Sequence, residues 1–276
     1  YTGARTSFND LIKNYPRSQY RDEAMFQRAQ FEIEQGNYQA AVDGLTQLIT
    51  QGNQSPFLPY AYMRRAASAF NLKQYDRTIA DYGYLVKEYP THPLAKDALL
   101  PLQEALNAAG RAGEFDGYLA AVQKANPDGK GFEMVEFESA KSLYNNQDYQ
   151  KAIVRLSAFL TSYPASPKQN EVKFFMAESH YRLQQFDKAY PVYSELAADM
   201  SFDMGSRVVG RMAEIDFKTA RYDDAVHGYH RLERLAINKR DQYNAWAGLM
   251  ESFYLLAQYD SAASYARIIL ERGSIS

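Results

Sequence analysis

Gly36-Asn37-Tyr38-Gln39-Ala40-Ala41-Val42 decides the fold, because its aromatic recurs along the whole chain. The series is Tyr1, Tyr38, Tyr75, Phe115, Tyr149, Phe186, Tyr222 and Tyr259, with gaps of 37, 37, 40, 34, 37, 36 and 37 residues. A period of that size marks a repeat array. Other columns keep step. Three residues after the aromatic stand Ala4, Ala41, Thr78, Tyr118, Ala152, Ala189, Ala225 and Ala262. Seven after it stand Phe8, Leu45, Tyr82, Val122, Leu156, Tyr193, Tyr229 and Ala266, and ten after it Leu11, Leu48, Leu85, Ala125, Phe159, Leu196, Leu232 and Ile269. Nine before it stand Ala29, Ala66, Leu106, Ala140, Ala177, Ala213 and Met250.

Offsets of 3, 7 and 10 place apolar residues on one face of a helix. The alanine columns let two helices approach closely. The aromatic follows a polar turn, such as Glu34-Gln35-Gly36-Asn37, and plugs the hairpin. Pro16, Pro90 and Pro164 fall fifteen after it and end the second helix. Each unit therefore reads helix, turn, helix, loop, and it must stack on its neighbours to bury its apolar face. The expected units are roughly 1–20, 21–57, 58–95, 96–130, 131–168, 169–204, 205–241 and 242–276. The expected fold is all-α, one α-solenoid of about seven hairpins plus an N-terminal half-repeat.

Residues 96–130 depart most from the pattern. Pro101, Gly110, Gly113 and Gly117 weaken helix there, and the segment 110–131 is a candidate hinge between 1–127 and 128–276. No extra polar helix follows the last hairpin, so the ends are expected to meet further repeats or other chains.

The 276 residues carry 31 basic and 33 acidic side chains, for a net charge of −2. Without a basic stripe the chain is a poor nucleic-acid binder. Cysteine is absent, which excludes disulfides, thiolate metal sites and thiol nucleophiles. No apolar run has the length of a membrane span. No phosphate loop, dinucleotide fingerprint or zinc-protease motif occurs. His227 and His230, near Asp223 and Asp224, read as surface histidines of a second helix rather than as a metal site. Asn53-Gln54-Ser55 fits a glycosylation triplet and carries little weight. The expectation is no enzyme, no cofactor and no metal.

The columns of small residue, aromatic, alanine, bulky apolar and proline resemble the tetratricopeptide repeat family over essentially the whole length. Trp246 matches the family's first-helix tryptophan, and only in the last unit. The resemblance implies a right-handed superhelix with first helices on the concave, partner-binding face. It also implies that the columns five and twelve before the aromatic border the groove. On that ground the partner-binding candidates are Phe26, Met63, Phe70, Phe137, Tyr144, Phe174, Tyr181, Arg182, Phe217, Lys218 and Tyr254. Rings in such a ladder suit an extended peptide or an amphipathic helix, or else they pack first helix on first helix. Glu178, Glu214 and Glu251 lie on the same helices. The clamp with which chaperone-binding relatives grip a terminal carboxylate is absent, since Phe26, Gln30 and Phe137 stand at its places.

The linkers Asn14-Tyr15-Pro16-Arg17-Ser18, Glu88-Tyr89-Pro90-Thr91-His92-Pro93 and Ser162-Tyr163-Pro164-Ala165-Ser166-Pro167 resemble those of bacterial envelope tetratricopeptide proteins, of the outer-membrane assembly lipoprotein and Tol–Pal coordinator types. The leading expectation is a non-catalytic scaffold that binds a peptide or protein segment within a cell-envelope complex. It would sit in the bacterial periplasm or at the outer membrane, with the cytoplasm as alternative. Two other classes remain: an element stacking end to end with copies or domains, and the ligand-reading arm of a longer enzyme or regulator.

Overall fold

The computed structural model describes residues 2–52, 54–199 and 203–272. Tyr1, Asn53, Ser276 and the side chain of Ala4, all used in reading the sequence, lie outside the described residues. The described residues form α-helices and one short 3-10 turn, with no strand. They group into two compact units, residues 1–135 and 136–276.

The first unit holds α1 (Thr2–Asn14), α2 (Arg21–Glu34), α3 (Tyr38–Gln51), α4 (Leu58–Asn71), α5 (Tyr75–Glu88), α6 (Pro93–Asp97), α7 (Leu99–Ala108) and α8 (Phe115–Ala125). The second holds α9 (Glu133–Asn145), apart from its first three residues, α10 (Tyr149–Ser162), α11 (Gln169–Arg182), α12 (Phe186–Ala198), α13 (Gly205–Lys218), α14 (Tyr222–Leu235), α15 (Lys239–Leu255) and α16 (Tyr259–Arg272). Every period of the sequence yields one hairpin, and α1 is a lone second helix.

The recurring aromatic is the first residue of each second helix from Tyr38 to Tyr259. The column five before it supplies its ring partner. Phe70 meets Tyr75, Tyr144 meets Tyr149, Phe217 meets Tyr222 and Tyr254 meets Tyr259, edge to face at 5.6–5.7 Å, and Tyr181 meets Phe186 at 5.7 Å. Such pairs clip the two helices together. Ala41, Ala152, Ala189 and Ala225 are fully buried, as are Leu45, Leu156 and Tyr193.

Each hairpin closes with one turn geometry. The Gly36 N–H donates to the Ile33 carbonyl and the Asn37 N–H to the Glu32 carbonyl, a Schellman end. The same pair of bonds recurs after α4, α7, α9, α11, α13 and α15. The left-handed residue it requires is Gly36, Lys73, Gly110, Gln147, Gln184, Ala220 and Ala257 in turn. Proline ends the second helices as expected. Tyr89 and Tyr163, each before a proline, are pushed to φ −126° and stop α5 and α10.

In the first unit Arg65 grips buried Asp81 with two bonds, Nη2 to Oδ1 at 2.6 Å and Nε to Oδ2 at 2.8 Å, and reaches Thr46 at 3.0 Å. That one side chain ties α3, α4 and α5. The irregular repeat keeps its core: Leu99, Leu102, Leu106 and Phe115 are buried. Its first helix is split into α6 and α7, and a 3-10 turn at Ala112–Glu114 accounts for the longer spacing. Within 110–131, Asn126 Nδ2 donates to the Pro90 carbonyl at 2.8 Å, and Lys96 Nζ to the Lys130 carbonyl at 3.0 Å. The loop is thereby fastened to the first unit. No helix among the described residues is long and apolar enough to cross a membrane.

Candidate functional site

The expected groove residues divide by burial. Phe137, Phe174 and Tyr181 lie in the core of the second unit and present almost no surface. These three are corrected from partner contacts to packing residues: Phe137 packs on Phe159, Phe174 on Tyr193, and Tyr181 on Phe186. Phe26, Met63, Phe70, Tyr144 and Phe217 are half-buried. Phe26 stacks on Phe57 at 5.6 Å, and Met63 packs against the core of the first unit. Arg182, Lys218 and Tyr254 are exposed, Tyr254 by 63%.

Glu178, read from sequence as a groove polar residue, is fully buried instead. Its carboxylate accepts from Tyr193 Oη at 2.6 Å, Arg211 Nε at 2.7 Å, and Arg207 Nη2 and Tyr144 Oη at 3.3 Å each. One carboxylate thus joins α9, α11, α12 and α13. Burial pushes its pKa up, but Arg211, Tyr193 and Arg207 outweigh burial and hold it below the usual carboxylate range. The network continues outward. Arg211 pairs with Glu214 at 2.9 Å, and Lys218 Nζ reaches Glu214 at 3.0 Å and Tyr181 Oη at 2.8 Å. Burial lifts the Glu214 carboxyl, yet Tyr181, Lys218 and Arg211 bring it down overall. On this stretch charge is matched and the rings are covered.

The pattern breaks at the last hairpin. A hollow of about 620 Å³ opens beside α15 and α16, lined by Phe217, Met250, Glu251, Tyr254, Leu255, Tyr259, Ala262, Ala263 and Ala266. Its walls are almost wholly apolar, the usual make-up of a binding cleft. The equivalent surface one hairpin earlier is filled: α15 lies on α13 and α14, and Tyr229 presses so close to Gly248 that a Cβ there would stand 2.3 Å from the ring. Two of the expected residues, Phe217 and Tyr254, therefore come together in one hollow, while Arg182 and the first-unit residues stand apart from it.

The sequence reading singled out neither the alanines of α16 that line the hollow nor the arginines of α13 that hold Glu178. A signal for the first was present: the column that reads Leu156, Tyr193, Tyr229 shrinks to Ala266. For the second it was the four-residue spacing of Arg207 and Arg211. His230 is also not a simple surface residue. It lies half-buried against the rings of Phe253 and Tyr265, with Nδ1 3.4 Å from Glu233. Among the described residues no cluster of potential metal ligands forms.

Comparison with known proteins agrees with this architecture. A tetratricopeptide repeat model matches residues 23–51 and 60–92, and the outer membrane lipoprotein model YfiO matches 103–191. Neither describes an enzyme. No curated protein matches the chain. The C-terminal part of a tetratricopeptide repeat-containing protein from Cytophaga hutchinsonii superposes with a TM-score of 0.66 at 15% identity, over 91% of this chain and 96% of that one. A chain of the Naa15/Naa10 complex bound to HypK-THB does so with a TM-score of 0.66 at 15% identity, over 96% of this chain and 38% of the other. At such identities the likeness is one of fold. The expected all-α fold of stacked tetratricopeptide-type hairpins is the one observed within each unit.

Proposed function

We infer that this chain of tetratricopeptide repeats is a non-catalytic scaffold that holds a protein segment on its first-helix face, within a bacterial cell-envelope assembly. The observation that carries the reading is the run of stacked helical hairpins whose first helices leave Lys218 and Tyr254 exposed, with Phe217 and Tyr254 together on an apolar hollow. A cleft of several hundred cubic ångströms with aromatic walls has the size and chemistry to anchor side chains of a partner. The envelope setting is supported by the match of residues 103–191 to an outer membrane lipoprotein model and by the three Tyr-Pro linkers. It implies a place in the periplasm or at the outer membrane.

A photo-crosslinking amino acid placed at Tyr254 or Lys218, in cells of the source bacterium, tests this reading. The control position is Val154 on α10, which is as exposed as Tyr254 at 63%. The expected result is a discrete adduct with an envelope protein from the two first-helix positions only. Equal adducts from Val154, or none from Tyr254 and Lys218, would overturn it.

A further inference from the structure

The linker between α14 and α15 differs from the others in what it exposes. Fifteen residues after its clipping aromatic, where other repeats have Pro16, Pro90 and Pro164, stands Ile237. Ile237 is 97% exposed, more than any other large apolar side chain among the described residues, and Leu235 beside it is 43% exposed. Arg231, Arg234, Lys239 and Arg240 flank the two, all exposed. Arg231 donates Nη2 to the Ala197 carbonyl at 2.9 Å, and among the described residues none of the four cations pairs with a carboxylate. The two acids of the segment are engaged elsewhere. Glu233 takes Trp246 Nε1 at 2.9 Å, and Asp241 takes Asn238 Nδ2 at 3.0 Å and Ser206 Oγ at 3.2 Å.

These choices do not serve the fold. Lys239 and Arg240 are the first two residues of α15, where the helix dipole repels cations. Asn238 starts that helix without them, its Oδ1 accepting the Asp241 N–H at 2.8 Å. An isoleucine held in water gains nothing from burial, and unlike proline it does not stop a helix. A protein partner's strong contacts sit in well-packed pockets, and Ile237 has no wall around it on this chain. A bilayer asks for no pocket: each cation near anionic headgroups adds to binding, and an apolar side chain between the cations enters the headgroup layer.

We propose that the α14–α15 linker is a contact with an anionic membrane surface. Leu235 and Ile237 enter the headgroup layer of a phosphatidylglycerol-bearing bilayer, and Arg231, Arg234, Lys239 and Arg240 lie against its phosphates. The proposal is independent of the scaffold reading, since neither Leu235 nor Ile237 borders the apolar hollow.

The test uses vesicles of phosphatidylcholine with about 30% phosphatidylglycerol, against vesicles of phosphatidylcholine alone. Cosedimentation of the intact chain is expected with the anionic vesicles only, and is lost in about 0.5 M salt. It should weaken about tenfold or more when Lys239→Gln and Arg240→Gln are combined, and about threefold for Ile237→Ser. All three residues are exposed, so circular dichroism should be unchanged, and the double variant should melt no lower because it relieves the start of α15. The chain has no cysteine, so Ile237→Cys and, as control, Val154→Cys on α10 each take one environment-sensitive dye. The dye at 237 should turn bluer and brighter on anionic vesicles, and the dye at 154 should not. No cosedimentation, equal cosedimentation of the double variant, or a dye at 237 that stays in water would overturn the proposal. A dye response to polyglutamate but not to vesicles would overturn it as well, by assigning the patch to an acidic protein.

Discussion

At the scale of single residues, the informative pair is Glu178 and Asp216, two buried carboxylates pushed in opposite directions. Asp216 takes Arg221 on one oxygen at 2.6 Å and Tyr190 on the other at 3.2 Å, but Arg221 is nearly half exposed, and burial wins: its pKa rises. Glu178 has two arginines and two tyrosines, and its pKa falls. A carboxyl whose pKa is lower in the folded state contributes stability above its unfolded pKa, near 4.5, and loses it as pH falls through the lower folded pKa. Glu178→Gln removes a buried ion and leaves Arg211 partly unpaired, at a cost of about 2–4 kcal/mol at pH 7. Thermal melts should show that deficit shrinking below about pH 4, because the unaltered chain loses the same contribution there. A deficit independent of pH would argue against the ionised form. For Asp216 the sign reverses, so Asp216→Asn is the milder change at neutral pH. None of this was legible in sequence, where Glu178 looked like any polar residue of a first helix. The deciding fact is that Arg211, 33 residues on, lands upon it.

At the scale of the element, the turn between paired helices was legible as a polar break but not as a strained one. Five of its seven left-handed positions hold side chains, at φ between 58° and 64°. Non-glycine residues pay about 1 kcal/mol or less to sit there relative to glycine. Ala220→Gly and Ala257→Gly should therefore each stabilise the fold by about 0.5–1 kcal/mol, although glycine is the poorest non-proline helix former elsewhere. Gly36→Ala should lose a similar amount. Urea midpoints of the three variants check the signs together, and a loss from Ala220→Gly would mean that the turn does not close on a left-handed residue. The clipping aromatics were legible by period alone. Their partners five residues earlier were expected either to border a groove or to pack first helix on first helix, and the structure adds a contact of neither kind: each lies edge to face on the aromatic that opens its own second helix. Period reports that a ring recurs, but not which of two neighbouring surfaces covers it.

At the scale of the molecule, stability in a repeat array is local, the sum of each hairpin and its interfaces with the next. The second unit grades accordingly. In α12 the residues Ala189, Tyr193 and Leu196 are buried, and α11 and α13 lie against it on both sides. In α16 only Ala262 is buried, Leu270 is 87% exposed, and the hollow lies open along one flank. Amide protection follows the free energy of local opening, which falls where buried apolar contacts are few. Hydrogen exchange at neutral pH should thus find α16 less protected than α12 by about a hundredfold or more, with the second half of α15 between them. Uniform protection from α12 to α16 in the free chain would mean that the last hairpin already buries its flank, and the hollow would then be no place for a partner.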